Sequence, residues 1–219
     1  MTGRSIAFVA LLALALLALL PLRFAGLGDA GLTAQAVTGD VWSGRLTAAQ
    51  LRGLPLGDVE ARLAPLPLLG GTVRLAFFGP AIAGAVLRHS DGGGVSGVRG
   101  RLLPGRLAGL PVASLDFDDF SVDFRGATCA STGGRVTLQA GGGLARIGSL
   151  VGTPRCDGPA LVLPLAADRT RLDLRISADG RYRVTLAVDD VGEGDRTGLL
   201  AAGFQPTPRG LAFNVEGRL

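Results

Sequence analysis

The chain opens on a continuous apolar block and then changes to alternation. From Ser5 to Leu22 there are eighteen residues without a charge, nearly all Leu and Ala. Coiled as a helix, that block rises about 27 Å, close to the hydrocarbon thickness of a bilayer. A cleaved secretory signal is the rival reading, but its apolar core runs only about 7 to 15 residues and a small-x-small site follows closely. Here Pro21 and Arg23 close the block, and the first good small pair, Ala34 and Ala36, lies well downstream. The pattern predicts an uncleaved membrane anchor over residues 1–23 and, with no clear boundary beyond it, one domain over 24–219.

In that domain the apolar positions recur with a period of two, broken by Gly and Pro, as in half-buried strands joined by turns. Val59, Ala61 and Leu63 alternate with Asp58, Glu60 and Arg62, and Val73, Leu75 and Phe77 with Thr72, Arg74 and Ala76. Between them Ala64 to Leu69 is too proline-rich for a ladder and reads as a crossover packed on the sheet. A further strand covers Ala81 to Arg88. In Leu115 to Phe124 the alternation slips by one residue at Asp118-Asp119, which predicts a bulge. Leu172, Leu174 and Ile176, and then Tyr182, Val184, Leu186 and Val188, alternate with polar residues across Asp179-Gly180, a hairpin signal. Leu211, Phe213 and Val215 form a last strand, and Arg196 to Ala202 suggests a short helix. The expected fold is mainly β: an N-terminal transmembrane helix followed by a curved antiparallel sheet or sandwich-like domain of nine to twelve strands. The Gly-rich segments His89–Gly94 and Gly133–Gly143 are read as loops.

Charge changes this picture little. The isoelectric point is near 10.3, yet the formal charge is only +4, from 22 basic and 18 acidic residues. Every basic residue is Arg, none lie in a run, and Arg alternates with Asp along the strands, so no phosphate-neutralising patch forms and nucleic acid is not an expected partner. Cys129 and Cys156 are the only thiols. Beyond an export segment the compartment is oxidising and a pair is what one disulfide needs. Two unpaired buried thiols remain the alternative.

Candidate chemistry is thin. His89 is the only imidazole; it adjoins Ser90 and Asp91, but adjacency does not make a triad and no Gly-x-Ser-x-Gly elbow exists. It is read as an exposed loop histidine. Asp116, Asp118, Asp119 and Asp123 could suggest a cation or a carboxylate pair, but alternating Asp on a strand marks its wet face. Gly141-Gly142-Gly143 lacks the Lys-Ser/Thr of a phosphate loop. No catalytic, metal or cofactor residue is assigned, and an enzyme is not expected. Trp42, the only tryptophan, stands in Gly39-Asp40-Val41-Trp42-Ser43-Gly44 and is read as a packing anchor, with Gly44 and Gly39 serving the backbone.

Gly-x-Val-Trp-x-Gly shortly after a single anchor resembles the start of type II secretion system protein N. The resemblance continues through Leu66-Pro67-Leu68-Leu69-Gly70-Gly71, the Cys129 and Cys156 pair, and the terminal Gly203-Phe204 followed by Gly210 to Leu219. It implies a bitopic inner-membrane protein whose β-rich part lies in the periplasm. Such a protein is a non-enzymatic accessory of the machine that exports folded proteins, in contact with the secretin or the inner-membrane platform as well as with membrane lipid. The alternative from the residues alone is a membrane-anchored envelope lipid-handling protein with an apolar β-groove. A closed, side-chain-filled interior favours the first reading, and an open groove lined by Leu, Val and Phe favours the second.

Overall fold

The computed structural model describes residues 32–40, 42–51, 54–107 and 109–218. The expected anchor over residues 1–23 lies outside them, and among the described residues no helix is long and apolar enough to cross a membrane.

The alternating segments form strands β1 (Leu32–Thr33), β2 (Ala36–Gly39), β3 (Gly44–Leu51), β4 (Leu54–Leu63), β5 (Val73–Phe78), β6 (Ile82–His89), β7 (Gly92–Leu102), β8 (Gly105–Leu107) and β9 (Leu110–Arg125). They continue through β10 (Thr128–Ala140), β11 (Ser149–Gly152), β12 (Arg155–Asp157), β13 (Ala160–Ala167), β14 (Thr170–Ser177), β15 (Arg181–Asp189), β16 (Gln205–Thr207) and β17 (Gly210–Arg218). Two short helices interrupt them, α1 (Pro65–Leu68) and α2 (Glu193–Ala201), with a 3-10 turn at Gly142–Ile147. Every pairing is antiparallel and the order is nearly that of the chain. β3 to β7 pair in succession, β7 pairs β9, then β10, β11, β13, β14, β15 and β17 follow. β1 and β2 share the outer edge of β3, and β16 lines the outer edge of β17. β8 continues the place of β7 beside β9, and β12 that of β11 beside β13.

The domain is therefore an open meander, mainly β as the alternation predicts. Its strand segments outnumber the expected nine to twelve, and they still do when the three positions filled by two consecutive pieces are each taken as one. The linker Ala64–Leu69 is no crossover: β4 and β5 are adjacent and antiparallel, so Pro65 and Pro67 shape a single helical turn between neighbours. Nor are Gly92–Gly94 or Gly133–Gly134 loop; they lie inside β7 and β10. A Cβ on Gly94 would stand 1.9 Å from the Val122 carbonyl oxygen, so this run of glycine is strand whose partner approaches too closely for a side chain.

One face collects the apolar residues and the other the charges. Leu165, Leu172, Leu186 and Phe213 stand opposite one another across β13, β14, β15 and β17, as do Leu138, Leu115 and Leu102 across β10, β9 and β7. These rows join in one connected core that reaches from Leu32 to Leu211. On the outer face Arg101 meets Asp116, Arg171 meets Asp189 and Arg183 meets Glu216. Such exposed pairs contribute about 0–1 kcal/mol each, so the inner rows carry the stability.

The sheet bends at its bulges. Asp119 has φ +54° and faces Gly134 at φ +83°, where a Cβ would lie 2.4 Å from the Asp119 carbonyl oxygen. The slip read at Asp118-Asp119 is thus a bulge in the β9–β10 ladder, where the register shifts between Gly133 and Arg135. Ala48 at φ +49° marks a second on β3, held by its N–H donating to Asp58 Oδ1 at 2.8 Å. Bulges increase local twist and curl a long strand, and here they turn the apolar face inward.

Candidate functional site

Curling brings inner-face residues of β4, β7, β9, β10, β13, β14 and β15 around one elongated groove of about 430 Å³. That size lies in the range of small-ligand sites, roughly 300–1,000 Å³. Leu56, Phe77, Val98, Leu115, Leu138, Leu163 and Val184 wall its middle, and all are buried. Among the described residues polar side chains are nearly absent from the lining: Arg106 is the one that carries a charge, and Tyr182 adds a hydroxyl.

Strand polarity gives the groove two distinct ends. Leu51 at the end of β3, Leu54 at the start of β4, Pro104, Arg106, Leu107 and Leu110 all border the first end. β1 arrives there too, since Leu32 pairs with Leu51. Beside Arg106, Leu103 is 70 % exposed. The second end is bordered by Val95, Phe120, Leu161, Ile176 and Tyr182, whose ring lies against Gly217. The linker between β4 and β5 belongs to this second end, with Leu66 78 % and Leu69 88 % exposed.

Trp42, Gly39, Gly44, Cys129, Cys156 and His89 lie at the second end and do not converge on the groove. In the bend between β2 and β3, Asp40 Oδ1 accepts from the N–H groups of Trp42 (3.0 Å) and Ser43 (2.7 Å). That turn sets the Trp42 ring, half-buried, against the main core. The conformational demand falls on Gly39, at φ +88°, where a Cβ would meet the Ser43 carbonyl oxygen at 2.5 Å. Gly44 is buried directly opposite Gly39 in the β2–β3 ladder.

Cys129 of β10 and Cys156 of β12 form a disulfide, with Cα atoms 5.4 Å apart. The pairing read from the sequence is present.

His89 is not an exposed loop residue. It ends β6 with its side chain 11 % exposed; Nε2 lies 2.8 Å from Asp123 Oδ1 and Nδ1 3.2 Å from Thr72 Oγ1. The strand simply continues further toward the turn than the glycines suggest. This Thr-His-Asp line ties the start of β5 to β6 and β9 and lies outside the lining of the groove. The acidic cluster is dispersed along β9: Asp116 pairs with Arg101, Asp119 with Arg99, and Asp123 with His89 and Arg125. Among the described residues no three potential metal ligands gather. A hydrogen bond from Arg175 and its charge hold the Asp157 carboxyl below its usual range.

Sequence reasoning left open the groove, which depends on curvature across many strands, and missed Arg106. The break between β7 and β8 at Leu103-Pro104 was the available signal for that lip, because Pro cannot donate to a ladder.

Fold and groove together define an open, single-sheet β protein with an apolar inner face. The model of the family described as type II secretion system (T2SS), protein N matches residues 30–209, so the chain belongs to that family. Membership places it among the components of type II protein secretion in the cell envelope. No curated protein and no solved structure matches it.

Proposed function

We propose that this chain is a non-enzymatic accessory of the type II secretion apparatus, held in the inner membrane by residues 1–23, with its β domain in the periplasm. There it supports export by contacts with the secretin or the inner-membrane platform. The family match over residues 30–209 carries the reading. Two further features support the topology: the uncharged run Ser5–Leu22 is long enough to span a bilayer, and a Cys129–Cys156 disulfide suits an oxidising compartment. Arg residues matched to carboxylates on the outer face leave little cause for nucleic-acid binding.

Deletion of the gene tests the role. Exported enzymes should then accumulate in the periplasm, with restoration by the full chain. Unchanged export in the deletion strain would sink the proposal.

A further inference from the structure

We propose that the groove holds an acyl chain of an anionic membrane phospholipid, whose phosphate is received by Arg106 at the first end. The site goes beyond the secretion role, and its delivery route rests on the anchor reading above.

Four observations select this occupant. Among the described residues the lining is apolar apart from Arg106 and Tyr182, and a groove of this chemistry does not hold ordered water. Its volume of about 430 Å³ suits one small ligand rather than a folded element of a partner. A peptide in extended form would bring backbone N–H and C=O groups into a place with almost nothing to satisfy them. An unbranched hydrocarbon has neither problem. Arg106 then supplies what the other end of such a molecule requires: it is exposed and has no ion pair among the described residues, unlike the Arg residues matched to carboxylates on the outer face. Its guanidinium is suited to bidentate contact with phosphate oxygens.

The fourth observation is position. Leu32, paired with Leu51 at this end, is ten residues after Leu22, the last of the apolar run. Ten residues span at most about 35 Å. On the anchor reading, the mouth with Arg106 and the protruding Leu103 is thus within reach of the bilayer surface.

The test uses the full chain reconstituted into phosphatidylcholine vesicles containing phosphatidylglycerol with a diazirine at the acyl terminus. After photolysis, the sites of labelling are mapped by mass spectrometry. Label is expected on inner-face residues such as Leu138, Leu163 and Leu174. Diacylglycerol carrying the same diazirine, which lacks the phosphate, should label the groove about tenfold less. Arg106→Glu should remove that preference and Arg106→Lys should retain much of it. Leu174→Trp, at a half-buried lining position, should reduce groove labelling while the circular dichroism and the disulfide stay intact.

Labelling confined to the 5–22 segment or the outer face overturns the site. Equal labelling by the two lipids, or by Arg106→Glu and the parent, overturns the headgroup assignment. Vesicle flotation reports the anchor separately: a chain that fails to float overturns the anchor reading alone, and the same lipid presented in micelles then decides the groove.

Discussion

Cys129 and Cys156 join two strands where the sheet has no backbone ladder. β11 pairs with β10 only over residues 136–139, and β12, its continuation, pairs only with β13. The first half of β10 is therefore bonded to β9 on one side and to almost nothing on the other. The disulfide closes this gap, helped by the Cys129 N–H donating to the Gly158 carbonyl at 3.2 Å and Thr132 Oγ1 donating to the Pro154 carbonyl at 3.2 Å.

Replacing both cysteines by Ala should destabilise the domain by about 2–4 kcal/mol. Denaturant unfolding of the full chain in detergent, oxidised against reduced, measures it. Hydrogen exchange should rise first in residues 128–133. Uniform exchange along β10 in the variant would contradict the gap.

Gly39→Ala should cost about 2 kcal/mol or more, because the new methyl meets a backbone oxygen at a left-handed φ. Trp42→Ala should cost about 2 kcal/mol, below the value for a fully buried aromatic, since the ring is half-buried. Thermal unfolding checks both. Trp42→Phe should keep most of the stability.

His89→Ala should destabilise by about 1–3 kcal/mol, since it leaves Thr72 without its imidazole partner and Asp123 with only Arg125 at 3.3 Å. A melting curve reads this directly. Secretion should fall only as far as the amount of folded protein falls; a full-level, fully stable His89→Ala protein that no longer supports export would assign His89 a different role.

Asp157 gives a pH dependence of defined sign. Its folded-state pKa is lowered by Arg175, so its contribution is present above the unfolded value of about 3.9 and is lost as pH falls through the lower folded value. Asp157→Asn should therefore be slightly less stable than the parent at neutral pH, and the two should converge in strong acid. Because the carboxylate is exposed, the difference should also shrink with added salt. A gap that widened on acidification would refute the pairing.

Local features were legible in the sequence wherever a single strand or turn determined them. Asp179-Gly180 turns the β14–β15 hairpin, with Gly180 at φ +82° and the Arg181 N–H donating to Asp179 Oδ1. The slip at Asp118-Asp119 is a bulge, and the helix read at Arg196–Ala202 is present over Glu193–Ala201. Errors arose where a residue's meaning depended on a partner strand. Gly92–Gly94 resembles a loop in isolation but is strand pressed against β9, and His89 looked exposed only because Thr72 and Asp123 are distant in sequence. The groove was the least legible feature, since alternation says which face is apolar but not how far bulges will roll that face upon itself.

The near-sequential order of the strands has a consequence for how the molecule is made. Each new segment finds its partner in the one synthesised just before it, so contacts are local and the sheet can extend from its N-terminal edge as the polypeptide emerges, without waiting for distant segments. The exception is the stretch after Thr128, whose free side stays unprotected until Cys156 has been made. During synthesis that interval is the time of greatest exposure to misassociation, and thiol oxidation ends it.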